Sequence, residues 1–370
     1  MIAEVLTFII ILCSEFPNVR IKIIHWTKKW YLLLIILLLA VIYILYRFKA
    51  DSVNGRALMW LISFDMFLDK PIFGFGPKGF ESDYMLYQAN YFIANPDSPF
   101  AQLADNTYHP YNEFIKIAVC FGVFGILILL SLIYVIIRLA IANKGRWRPY
   151  LLASLATLFV WCMFSFPLNV SFIWVLSLSW FLILIEGINF EKPILRFSKI
   201  LSPVFLLLLA FCVYNGIYQM QWKKIERLSL RGQTEAMLPE YAKLYPKLHK
   251  NGSFLYNYGA ELHYIKRYKE SQKILLECEQ LQNGYNVQMI MADNYRHTDM
   301  IQDAIECYDR ASNMAPCRYL PLYDQMNMLL ESGDTISAVA LAKKIVNKKV
   351  KVKSDYLDKI IIGANALLNK

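Results

Sequence analysis

Two short segments of this chain hold residue types able to move a proton and to grip an anion. The first is Ala104-Asp-Asn-Thr-Tyr-His-Pro-Tyr-Asn-Glu-Phe114, which runs into a long apolar stretch. Pro110 suits the first position of a helix. His109 is then expected at the N-cap boundary, where the positive end of the helix dipole disfavours imidazolium. A neutral imidazole is what a general base requires. Glu113, one turn on, can accept a hydrogen bond from the other ring nitrogen and fix the tautomer. Asn112 offers a further polar group. The competing reading is a capping histidine beside a solvated glutamate.

The second segment is Asn54-Gly55-Arg56 followed by ALMWLISFDMFLDK. Asn54 reads as a helix cap, and the apolar helix it opens stops before Pro71. That places Arg56 in a first turn, against the dipole, unless an anion compensates. Guanidinium donates paired hydrogen bonds to phosphate, so a phosphate-bearing ligand is the natural candidate. Next comes Gly74-Phe-Gly-Pro-Lys-Gly79, which fits G-x-G-x-x-G. No buried strand precedes it and no βαβ unit follows, and Pro77 removes a backbone donor, so a dinucleotide cradle is excluded. A tight turn is the plainer reading. The alternative is a contribution of Gly74, Gly76 and Lys78 to holding a lipid phosphate.

The elements that must carry these residues are mostly apolar. Hydrophobic residues make up 57% of the 370 and charged residues only 18%. That excludes a simple water-soluble enzyme and intrinsic disorder. Uncharged or nearly uncharged runs at 30–46, 117–137, 149–168, 170–185 and 200–220 each approach the ~20 residues a membrane-crossing helix needs. Residues 1–12 form a shorter apolar stub. The fold class expected is all-α: a polytopic membrane protein of about five spans plus that stub, with a helical C-terminal domain.

Basic residues cluster in alternate connections: Arg20, Lys22, Lys28 and Lys29; Lys144, Arg146 and Arg148; Lys192, Arg196 and Lys199. The positive-inside rule puts all three in the cytoplasm. Loop 47–114, with five basic and eight acidic residues, then lies on the opposite face, as does everything after 220. The net charge of +10 is therefore a topology signal and not a nucleic-acid stripe. The expected divisions are 1–46 (stub and first span), 47–114 (loop with the candidate site), 115–220 (four spans) and 221–370. At 68 residues the loop is too long for a connector and is expected to lean on the membrane surface. No span carries a central charge of the kind ion and proton pathways use, which disfavours a transporter.

From 221 the pattern turns amphipathic. Segments 254–281, 287–314 and 320–347 align, with small residues Ser271, Ala304 and Ala338 spaced 33 and 34 apart. This period resembles tetratricopeptide repeats, whose helix pairs bury their apolar faces by stacking. The resemblance implies a domain that binds peptides or proteins. Tyr256, Tyr258, Tyr264 and Tyr268 are read as inter-helix packing or, alternatively, a ligand groove. His263 and His297 are read as surface or packing residues. Cys278, Cys307 and Cys317 leave one disulfide open.

The set Arg56, Trp60, Pro71, Gly74, Gly76, Phe80, His109, Asn112, Glu113, Gly122 and Gly125 resembles the O-antigen ligase and polymerase superfamily over residues 30–190. Tetratricopeptide-like tails outside the membrane occur in members resembling this one, particularly from Bacteroides-like bacteria. The resemblance implies a glycosyltransferase of the bacterial inner membrane that uses no metal or other cofactor. It would move a glycan from an undecaprenyl-diphosphate carrier to an acceptor hydroxyl, on lipid A-core, another glycan or, in some relatives, a protein, at the periplasmic face. Arg56 would bind the diphosphate, His109 would activate the acceptor, and Glu113 and Asn112 would orient them. Full members have more spans than these. An N-terminal half is therefore expected to be missing, and the chain alone to be weak or inactive. The rival class is a membrane-anchored repeat scaffold that recruits envelope proteins. The topology is checked by labelling: Lys78→Cys and Lys266→Cys should both react with an impermeant thiol reagent from outside. Labelling only after permeabilisation would reverse it.

Overall fold

The computed structural model describes residues 46–142, 147–170 and 213–369 without interruption, together with Gly145 and scattered positions within 4–44, 172–180 and 207–210. Among the described residues every regular element is helical, so the chain is all-α. The helices are α1 (Ala50–Asp69), α2 (Gly79–Ala94), α3 (Glu113–Ala142), α4 (Arg148–Phe164), α5 (Thr234–Leu248), α6 (Gly252–Tyr264), α7 (Tyr268–Glu279), α8 (Tyr285–Arg296), α9 (Ile301–Met314), α10 (Leu320–Glu331), α11 (Thr335–Asn347) and α12 (Asp355–Leu368). The expected stub and the spans at 30–46, 170–185 and 200–220 fall wholly or partly outside the described residues. So do Arg20, Lys22, Lys28, Lys144, Arg146, Lys192, Arg196 and Lys199. The chain divides into two compact units, Met1–Pro77 with His109–Leu201, and Lys78–Tyr108 with Ser202–Lys370.

In the first unit α1 packs on α3, and α3 packs on α4. Leu58, Ile62 and Met66, one turn apart, form the buried face of α1. The helix begins at Ala50, so Asn54 is not its cap and Arg56 stands in its second turn. The expected clash of Arg56 with the dipole falls away, because the orphan amides lie a turn earlier. Among the described residues α3 alone is long and apolar enough to cross a membrane, and α4 is a shorter apolar helix.

α3 is broken at Gly122, whose φ of 60° and ψ of −155° are open only to glycine. The break frees backbone groups, and the turn after α1 takes them up. Phe75 and Gly76 donate to the carbonyls of Val119 and Cys120 at 3.0 and 2.8 Å. Val123 and Phe124 donate to the carbonyls of Pro71 and Ile72 at 2.7 and 3.2 Å. The two chains touch so closely that a Cβ on Gly122 would lie 2.4 Å from the Ile72 oxygen, and one on Gly74 (φ +68°) 2.5 Å from the Val119 oxygen.

In the second unit consecutive helices pair as α6–α7, α8–α9 and α10–α11, with α12 packing on α11. Ser271, Ala304 and Ala338 are each the fourth residue of a pair's second helix, and all are fully buried. Each pair turns through one left-handed residue: Lys266, Asp299 and Gly333, at φ values of 65°, 59° and 89°. Tyr258 stacks on Tyr241 at 5.4 Å within the core, Tyr256 is half-buried against it, Tyr264 is exposed, and Tyr268 stacks on His297 at 4.3 Å. His263 and His297 both face Asp293, at 3.4 and 3.5 Å. Cys278, Cys307 and Cys317 are free thiols, so the open disulfide is not formed. Burial pushes the Cys278 and Cys307 thiols up to about 12.

Segment 78–108 does not stand alone. α2 packs on α9. The buried Gln88 amide donates to the carbonyls of Met314 and Asp105, at 2.5 and 3.2 Å. Arg318 holds Asp105 Oδ1 at 2.7 Å and lies over the Tyr285 ring at 4.3 Å. Asn106 Oδ1 accepts from the Tyr285 amide at 3.1 Å, and the Asn283 amide donates to the Glu81 carbonyl at 2.9 Å.

Two stability predictions follow from these contacts. Gly122→Ala and Gly74→Ala each combine a disfavoured φ with a backbone collision, and each should cost more than about 2 kcal/mol, read as a lowered melting midpoint in detergent. Asp324 is largely buried near Asp293, which together push its carboxyl up to about 6, with Arg296 opposing. Its folded pKa lies above its unfolded one, so its contribution is present below pH ~4 and is lost as pH rises through 6. Asp324→Asn should therefore stabilise the helical array by about 1–2 kcal/mol at pH 8 and by almost nothing at pH 4, in melting curves taken across that range.

Candidate functional site

Arg56 and Trp60 are four residues apart and so share one face of α1. Trp60 reaches across and donates from Nε1 to the Pro110 carbonyl, at 3.1 Å. That bond ties the face carrying Arg56 to the peptide that follows His109. The chain then reverses at Tyr111, whose φ of 53° is rare for a side chain with a Cβ. This turn ends the approach segment, so α3 begins at Glu113 and Pro110 is not its first residue.

Asn112 caps α3. Its Oδ1 accepts from the amides of Phe114 and Ile115, at 3.0 and 3.1 Å, and its Nδ2 donates to the Met163 carbonyl at 3.1 Å. The side chain therefore joins the start of α3 to the end of α4. Buried Glu113 accepts from the Leu168 amide at 3.0 Å, fixing the turn Pro167–Asn169. Trp174 Nε1 donates to the Leu168 carbonyl at 2.7 Å and closes the same turn from the other side.

The turn delivers two side chains that the sequence reading missed. Phe166 lies 4.7 Å from the His109 ring and 5.4 Å from the Tyr111 ring, centroid to centroid. Asn169 Nδ2 stands 3.4 Å from both ring nitrogens of His109. A carboxamide can donate to the basic nitrogen or, rotated, accept from the protonated one, so it can hold the ring in either protonation state. Arg56 completes the group, with Cζ 5.6 Å from the Tyr111 centroid. Arg56 is half-buried, and among the described residues it makes no ion pair. A guanidinium and an imidazole thus flank one aromatic shelf of Tyr111 and Phe166.

The glycine-turn residues are placed differently. The amides of Gly74, Phe75 and Gly76 all donate to protein carbonyls, those of Lys70, Val119 and Cys120. They splice α1 to α3 and are not free to cradle a phosphate. Lys78 falls in the other unit, at the N-terminus of α2, where its carbonyl accepts from the Ser82 hydroxyl at 3.0 Å. The signal that could have found Asn169 was topological. It is the polar residue between the apolar runs 149–168 and 170–185, in a turn that alternation puts on the same face as loop 47–114.

Residues 5–130 match a family model described as O-antigen ligase, which supports kinship with that superfamily. The matched region takes in α1, the glycine turn, His109 and the first part of α3. It stops short of Phe166 and Asn169, and it leaves out the helical array. No curated protein matches the chain.

Proposed function

We propose that this chain is an O-antigen ligase-like glycosyltransferase of the bacterial inner membrane, acting at the periplasmic face on a glycan carried by undecaprenyl diphosphate. The observation that carries the reading is the half-buried Arg56 guanidinium, without an ion pair among the described residues, joined to His109 across Tyr111 and Phe166. The family match over 5–130 gives the reaction class. A diphosphate is already a good leaving group. What remains for the protein is positive charge at the phosphates and a base at the acceptor.

Arg56 binds the diphosphate and neutralises the charge that grows as the sugar–phosphate bond breaks. The acceptor hydroxyl oxygen attacks the anomeric carbon, and its proton passes to a ring nitrogen of His109. Asn169 holds the ring before and after that transfer. Glu113 positions Asn169 through the Leu168 amide, and Asn112, from the start of α3, holds the end of α4 that leads into the same turn. The aromatic rings suit the apolar faces of sugars and exclude water from the reacting bond. The acceptor is lipid A-core or another glycan. The period of the helical array, with buried small residues at Ser271, Ala304 and Ala338, supports a tetratricopeptide-like solenoid on the periplasmic side, open to an envelope protein.

The test is restoration of surface glycan in a strain lacking its own ligase. In whichever form restores display, the chain alone or the chain with further spans, Arg56→Ala and His109→Ala should abolish it, and Asn169→Ala should lower it by less than loss of the base itself, which is worth about 100- to 10,000-fold. Equal display with Arg56→Ala, His109→Ala and the unmutated chain would remove the assigned roles and leave the anchored-scaffold reading.

A further inference from the structure

The helix at 213–228 continues the apolar run 200–220 into the helical array. Trp222 and Ile225 are buried in the array's core, and Trp222 Nε1 donates to Asn257 Oδ1 at 2.9 Å. These anchors decide which face looks outward. On that face Gly216, Met220, Lys223, Arg227 and Arg231 recur at three- and four-residue spacing, with Lys224 beside them. They border an open groove of about 780 Å3.

The groove changes character along its length. Met220 is the exposed apolar side chain at its start, and Val213 and Ile217 are exposed on the turns of helix before it. One to two turns later it is basic. Glu226 is the single acidic residue between 213 and 231, and it pairs with Lys223 at 2.7 Å. Lys224, Arg227 and Arg231 have no acidic partner among the described residues. An apolar floor giving way to three uncompensated cations within about 15 Å of helix is the profile of a lipid–water boundary. A soluble phosphate would make no use of the floor, whereas acyl chains cover it and the phosphate above reaches the cations.

We propose that this face binds the phosphate headgroups of anionic phospholipids, seating the array where the apolar run ends. The site is separate from Arg56 and His109, and its test does not depend on glycan transfer.

The probe is phosphatidylglycerol. The full chain is placed in nanodiscs of phosphatidylcholine with a minor share of phosphatidylglycerol, then released gently and its retained lipids counted by native mass spectrometry. The chain should retain phosphatidylglycerol in preference to phosphatidylcholine, and 1 M salt should strip it. The combined Lys224→Glu, Arg227→Glu, Arg231→Glu variant should lose that preference by at least about tenfold. Lys224→Arg, Arg227→Lys, Arg231→Lys should keep it, and serves as the control if the charge-reversed chain is poorly folded. Unchanged preference in a folded charge-reversed chain would overturn the proposal. So would indifference to headgroup in the unmutated chain, or full displacement of the lipid by inorganic phosphate, which would mean a simple anion site.

Discussion

Four backbone hydrogen bonds between residues 71–76 and the break in α3 hold the first unit's site together. A helix interrupted in apolar surroundings leaves amides and carbonyls that water cannot reach, and each costs several kcal/mol if left alone. Here the interruption is made by one glycine in a conformation no other residue adopts cheaply, and the freed groups are met by a turn that needs its own glycine at the contact. The result is a rigid joint between α1 and α3. Arg56 rides on α1 and His109 on the approach to α3, so the joint sets how the guanidinium and the imidazole face each other. Trp60 adds a second tie, to the peptide next to His109.

The joint also explains why the G-x-G-x-x-G string carries no phosphate chemistry. That string is informative only where its amides are left free at a helix start. Here they are spent on carbonyls of α3. Reading the string as a decoy was possible from the missing βαβ context. Reading it as a splice was not, because its partner is Gly122, nearly fifty positions on, and nothing in either segment announces the other. Helix type and the small-residue period of the array were legible, since both are local or regularly repeated. The starts of α1 and α3 were not: Asn54 and Pro110 are good termini by type, but the helical segment at 46–48 carries the chain into α1 early, and the left-handed Tyr111 delays α3.

Loop 47–114 shows the same limit at larger scale. From the sequence it reads as one extramembrane loop between two apolar runs. In the structure it divides at Pro77 and Tyr108, and its middle is held by Arg318, Tyr285, Asn283 and Met314. The Asp105–Arg318 pair joins residues 213 apart. An ion pair of two ordinary, exposed residue types has no sequence signature. Its exposure keeps its direct worth small, so the buried Gln88 and the Asn106–Tyr285 contact carry more of the docking. The array thus already holds a segment of its own chain, whatever else it binds.

Arg56 itself shows what such a framework can sustain. A half-buried cation usually acquires a carboxylate, which satisfies it and removes it from service. This one faces an aromatic ring instead. Cation–π attraction to Tyr111 is worth about 0.5–2 kcal/mol. That is enough to orient a guanidinium but too little to compete with a doubly charged phosphate group offering paired acceptors. Glu113, the first residue of α3, turns one carboxylate oxygen to the Leu168 amide and so fixes the turn that carries Asn169. The acid and the cation are thereby given separate partners.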